Sequence, residues 1–126
     1  MFEKLILLAI AGAAGTLARY GLDSFVSKHW VWGKMPTGLL VVNTLGCFIY
    51  GFVTPLADSV KAISPETKFY LLTGFTAAFT TFSSFMFKEN EFLMEDYMRV
   101  ASLYLALSLS FGVFAVYIGQ KIGSLL

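Results

Sequence analysis

Four phenylalanines and five hydroxyl side chains run through GFTAAFTTFSSF, Gly74–Phe85, with no charge among them. A phenyl ring is electropositive at its edge, and a hydroxyl donates one hydrogen bond. Together they can replace part of an anion's hydration without a fixed positive charge. Such a neutral site suits conduction, because an ion must bind firmly enough to enter and loosely enough to leave. If the segment is helical, Phe75, Phe79, Phe82 and Phe85 form one stripe. Asn43 adds an amide with two N–H donors. It serves equally well as interhelical glue or as a donor to a permeating anion. Tyr104 and Ser108 share a face at i, i+4, whereas Ser110 faces elsewhere. No nucleophile stands with a base, so enzymatic chemistry is not expected. There is also no phosphate-binding glycine loop, metal-ligand cluster or nucleic-acid patch.

These groups must be positioned by membrane helices. Of the 126 residues, 57% are hydrophobic and 13% charged, too little polar surface to cover a soluble domain. The charges bracket uncharged runs: Met35–Ala57, Phe69–Phe87 and Val100–Gln120. Each is close to the ~20 residues that span the hydrocarbon core. A shorter run, Leu5–Ala18, extends to Leu22 because Arg19 can snorkel from near its end. The small residues that follow Leu5 also resemble a signal peptide, but Glu3 spoils the basic flank and the hydrophobicity continues into TLARYGL. The expectation is one all-α membrane domain over residues 1–126, with helices at about 4–22, 36–57, 67–87 and 98–122. The remainder reads as connections: DSFVSKHWVWGKMP with two interfacial tryptophans, an Asp58–Lys68 loop, and KENEFLMEDYMR. In the second, Ser64 reads as a helix cap with Pro65 in the first turn. The lone Cys47 reads as a small packing residue.

Four spans put both termini on one side with Lys4, Lys61, Lys68 and Lys121. Arg19, Lys28, Lys34, Lys88 and Arg99 lie on the other. Orientation follows an excess of Lys and Arg on the cytoplasmic side, and here there is none to follow. That balance favours insertion in both directions, and so an antiparallel dimer with its axis in the membrane plane. The long runs contain no Asp, Glu, Lys or His, as proton coupling usually requires. A small multidrug-type proton-coupled exporter is the alternative function.

GAAGTLARY, NTLGCF and GFTAAFTTFSSF, in this order on a four-helix chain, resemble the Fluc/CrcB fluoride channel family over essentially the whole sequence. The resemblance implies an antiparallel dual-topology homodimer that passively exports fluoride across the inner (plasma) membrane, relieving its toxicity. Lipid and fluoride are the remaining partners. It implies a pore built from Asn43, Phe82, Phe85, Thr81, Ser84, Tyr104, Ser108 and Ser110. It implies that helix three is broken near its middle. At the break, backbone carbonyls of Ala77 and Thr80 from both subunits would hold a structural sodium ion on the dimer axis. Arg19 matches a family arginine assigned to structure or to the vestibule. Two positions depart from the family pattern. The stretch before TTF reads TAA where the family is rich in glycine, and Lys88 stands about where the family usually has glutamate.

Overall fold

A computed structural model describes residues 1–61 and 63–126; Ala62, within the expected second loop, lies outside the described residues. The described chain is all helical apart from short turns. Helix α1 is Phe2–His29 and α2 is Thr37–Ser59. A third rod follows in pieces: α3 Pro65–Phe69, a π-helical stretch Tyr70–Thr76, α4 Ala77–Phe79, and α5 Phe82–Met94. The last helix, α6, is Met98–Gly123. Helices α1, α2 and α6 are long and apolar enough to cross a membrane.

Two boundaries differ from expectation. Helix α1 does not stop near Leu22 but runs through the expected loop to His29. Its polar end is held by i, i+4 contacts: Ser27 Oγ donates to Asp23 Oδ1 at 3.1 Å, and His29 Nδ1 meets the Phe25 carbonyl at 2.8 Å. Likewise, α5 continues beyond Phe87 to Met94, so most of the expected third connection is helix. In both places the change from apolar to charged residues marks where the membrane face ends, not where the helix ends. Ser64 does cap α3, accepting from the Thr67 N–H at 3.1 Å, with Pro65 opening the helix.

Without a hydrophobic drive in lipid, helices associate where small residues let backbones meet. Helix α2 lies along α6 in this way. Gly51 faces the Val116 carbonyl, Gly119 faces the Phe48 carbonyl, and Gly123 faces Phe52. Helix α1 packs on the third rod by the same device, with Gly15 against the Phe75 carbonyl. A Cβ at Gly15 would collide with that backbone oxygen, which cannot rotate away. Gly15→Ala should therefore lose about 1–3 kcal/mol of stability. Gly21→Ala, which faces open space, should instead gain up to about 1 kcal/mol from helix propensity, and thermal unfolding in detergent compares the two.

Salt bridges tie the two ends of the bundle. Lys4 with Glu66 (3.9 Å) and Lys68 with Asp58 (2.6 Å) join one end; Lys34 with Glu95 (3.8 Å) joins the other. The core is small: Met35, Leu39, Leu40, Phe85, Phe92, Ala101 and Tyr104 form its main cluster. Large apolar side chains such as Leu17, Phe82, Phe87, Val113 and Phe114 point outwards. An outside more apolar than the inside is what lipid, or another helical surface, would cover.

Candidate functional site

The third rod breaks at Thr80–Thr81, where both residues leave the helical region for extended backbone. A break in the membrane exposes backbone polar groups that hydrocarbon cannot satisfy. Asn43 satisfies them from α2. Its Oδ1 accepts from the Thr81 N–H at 2.9 Å, and its Nδ2 donates to the Thr81 carbonyl at 3.2 Å. Each amide atom has a partner of the opposite kind, so the orientation of the group is fixed. One of its two N–H bonds remains for another acceptor. The Thr81 N–H would otherwise reach back to the Ala77 carbonyl four residues earlier, and that carbonyl loses its helical donor.

The hydroxyls of the TTFSS stretch mostly serve the same backbone. Thr76 Oγ1 donates to the Leu71 carbonyl at 2.8 Å, matching the wider π-helical turn. Thr80 Oγ1 donates to the Thr76 carbonyl at 3.1 Å. Thr81 caps α5: its Oγ1 accepts from the Ser84 N–H at 3.3 Å, while its O–H donates to Ser84 Oγ at 3.1 Å. The frequent hydroxyls of this segment are thus largely accounted for by the interrupted helix.

The break also divides the expected phenylalanine stripe, because residues on either side no longer share one helical face. Phe75 and Phe79 stack with centroids 5.7 Å apart. Phe82 and Phe85 form a separate tilted pair at 6.3 Å. They are unlike in setting: Phe82 is 73% exposed and Phe85 only 7%. The fully buried Tyr104 meets Phe85 edge-on at 5.0 Å and fixes that ring. The Tyr104 hydroxyl has no hydrogen-bond partner among the described residues.

A groove of about 640 Å³ collects Asn43, Thr81, Phe82, Phe85 and Ser108 with the backbone around Ala77 and Thr80. Five of the expected residues and both carbonyl positions therefore meet on one face. Three do not line it. Tyr104 lies behind Phe85, and Ser84 lines a neighbouring basin. Ser110 lies with Leu109, Val113, Phe114 and Tyr117 on another face of α6. The groove also takes in Gly46, Cys47, Tyr50 and Thr76, which sequence reasoning did not select for it. Gly46 was the legible one: a Cβ there would strike the Thr80 methyl, so only glycine lets α2 approach the break.

The neighbouring basin, about 850 Å³, is lined by Arg19, Asp23, Lys34, Thr81, Ser84 and Lys88 among others. Lys34 is held there by the Tyr97 ring, 3.9 Å from its Nζ. Tyr97 also raises the lysine's pKa, with Glu95 adding to the effect.

Three long apolar rods, and a fourth interrupted at a polar clamp, define a multi-pass helical membrane protein. The chain belongs to the CrcB-like protein, Camphor Resistance (CrcB) family, whose pattern matches residues 6–120. It is 40% identical over 126 residues to the fluoride-specific ion channel FluC of Nitrosococcus oceani, covering all of both chains. It is 44% identical over 128 aligned residues to the FluC of Solidesulfovibrio magneticus, again over the full length of both. With the FluC of Chlorobium phaeobacteroides it shares 41% over 114 residues, 90% of this chain and 87% of that one.

Proposed function

We propose that this chain is a fluoride-selective ion channel that lets cytoplasmic fluoride leave the cell passively. The observation that carries the reading is the exposed Phe82 ring in one groove with a clamped Asn43 that keeps one N–H uncommitted among the described residues. A small anion on this face meets ring edges, one amide and the Ser108 hydroxyl, with no charged side chain lining the groove to trap it. Fluoride enters a cell as its neutral acid and is held inside as the anion. The negative membrane potential then drives it out through an open pore, and no coupling ion is needed.

The groove is one-sided, with Phe82 and the Ala77 backbone on an exposed face. A second copy of the chain, inverted in the inner membrane, covers that face and closes the path. The even distribution of Lys and Arg between the two ends supports this dual-topology homodimer. The Ala77 carbonyl, left without its helical donor, and the Thr80 carbonyl are hard oxygen ligands that suit a sodium ion. Paired with the same carbonyls of the second copy, they would hold the ion as a fixed structural charge across the break.

The test is efflux from liposomes containing the purified chain alone, started by a potassium ionophore. Rapid fluoride loss with negligible chloride loss is expected. Movement of an organic cation coupled to protons would instead establish the multidrug-type exporter. Fluoride loss that needs a second, different subunit would overturn the homodimer alone.

A further inference from the structure

The basin beside the groove has a charge imbalance that pore chemistry does not use. Three cations, Arg19, Lys34 and Lys88, line it against one acid, Asp23. The basin and the groove share Thr81, so they are adjoining spaces. Thr81 caps α5 and bonds to Ser84, and Lys88 follows Ser84 by one turn on the same face, so the three line the basin towards the break. Two of the three cations have partners. Lys34 lies over Tyr97 and near Glu95. Lys88 Nζ is 2.6 Å from Glu91 Oε2, one turn further along α5. Lys88 lines the basin and Glu91 does not, so the counter-charge lies outside the space that the lysine borders.

We propose that Lys88 sets the rate at which anions are gathered into this basin and delivered to Thr81, with Glu91 damping its charge. The inference rests on the channel reading above and concerns access, not selectivity. A half-exposed i, i+3 pair contributes little to stability. A cation at the mouth of a confined, low-dielectric space, by contrast, raises the local anion concentration and the on-rate.

Fluoride efflux from proteoliposomes, at fluoride levels where access limits the rate, tests this with variants of both partners. At about 0.01 M ionic strength charges act over roughly 30 Å, and at about 1 M over roughly 3 Å. At low ionic strength Lys88→Glu should slow efflux about tenfold and Lys88→Gln about threefold. Glu91→Gln should accelerate it about twofold by releasing the ammonium. In about 1 M of a salt with a large impermeant anion all of these rates should converge, and fluoride preference over chloride should not change. If the pair were merely structural, Lys88→Gln and Glu91→Gln would change the rate in the same direction. That result, or a Lys88→Glu deficit that persists at high salt, overturns the proposal. Wild-type conduction with no effect of Lys88→Glu at low salt overturns it and leaves the channel reading intact. A wild type that does not conduct removes both.

Discussion

Asn43→Asp is expected to abolish fluoride efflux from liposomes containing the chain, by about 1,000-fold. The substitution changes one atom group and keeps the volume. Aspartate still accepts from the Thr81 N–H, but it has no N–H for the Thr81 carbonyl, so half of the clamp is lost. A buried hydrogen-bond partner left unsatisfied costs about 1–3 kcal/mol, which loosens the break. The larger effect falls on the ion. The N–H free to face the groove becomes a carboxylate oxygen. Two like charges about 4 Å apart repel by about 4 kcal/mol at an effective dielectric of about 20. Each 1.4 kcal/mol or so is tenfold in rate, so repulsion alone accounts for about three orders of magnitude. Asn43→Leu separates the two effects, since it removes both clamp bonds and adds no charge. It should lower the melting temperature more than Asn43→Asp does, and it should also stop conduction. Efflux within about threefold of wild type in Asn43→Asp would show that the amide only holds the break.

The identity of the amide was visible in the sequence, and its task was not. Asn43 in the middle of an uncharged run can be glue or an ion ligand on chemistry alone. The structure shows one N–H as glue and leaves the other without a partner among the described residues, a division that depends on a residue 38 positions away. The break itself is similarly non-local. Thr80 and Thr81 are neither glycine nor proline, and although Thr81 is a local cap for α5, a cap residue alone does not force the preceding helix to stop. What permits it is a partner on α2, with Gly46 letting the two rods approach. The π-helical turn before it likewise rests on a hydroxyl, Thr76 reaching Leu71 five residues back. Hydropathy, by contrast, is local and additive, so the long apolar rods could be read directly. It fails at Asp23–His29 and Lys88–Met94, where helices leave the membrane and continue on polar contacts. The phenylalanine stripe is non-local for a related reason: it holds only if one helical period runs through the segment, and the helix stops inside it. Ser84 and Tyr104 are near the groove without lining it, because the cap turns Ser84 to the basin and Tyr104 packs from behind.

The sharpest separation of function from folding comes from the two rings. Phe82→Ile should stop fluoride conduction, by at least about 100-fold, with the melting temperature of the detergent-solubilised protein unchanged. The ring is 73% exposed within its own chain and faces the path that the proposed second copy closes over, so replacing it removes little packing. Isoleucine keeps the apolar character but has no quadrupole, and so no electropositive rim for the ion. A dehydrated anion passing an aliphatic wall regains none of its lost hydration there. A loss of about 2.7 kcal/mol along its path gives the stated factor. Phe85→Ile should lose conduction too, but with a different signature. That ring is buried and stands edge-on to Tyr104, so its removal also lowers stability by about 1–3 kcal/mol. Phe82→Tyr keeps a ring and its edges and should retain part of the flux. If Phe82→Ile and Phe82→Tyr conduct alike, the ring edge is irrelevant and the residue serves only to exclude water. If both rings and Asn43 become aliphatic together and fluoride still flows at the wild-type rate, ions take another route through the protein. The electrostatic account of the groove would then have to be abandoned, although the clamp, the break and the glycine contacts between the rods would stand on their own geometry.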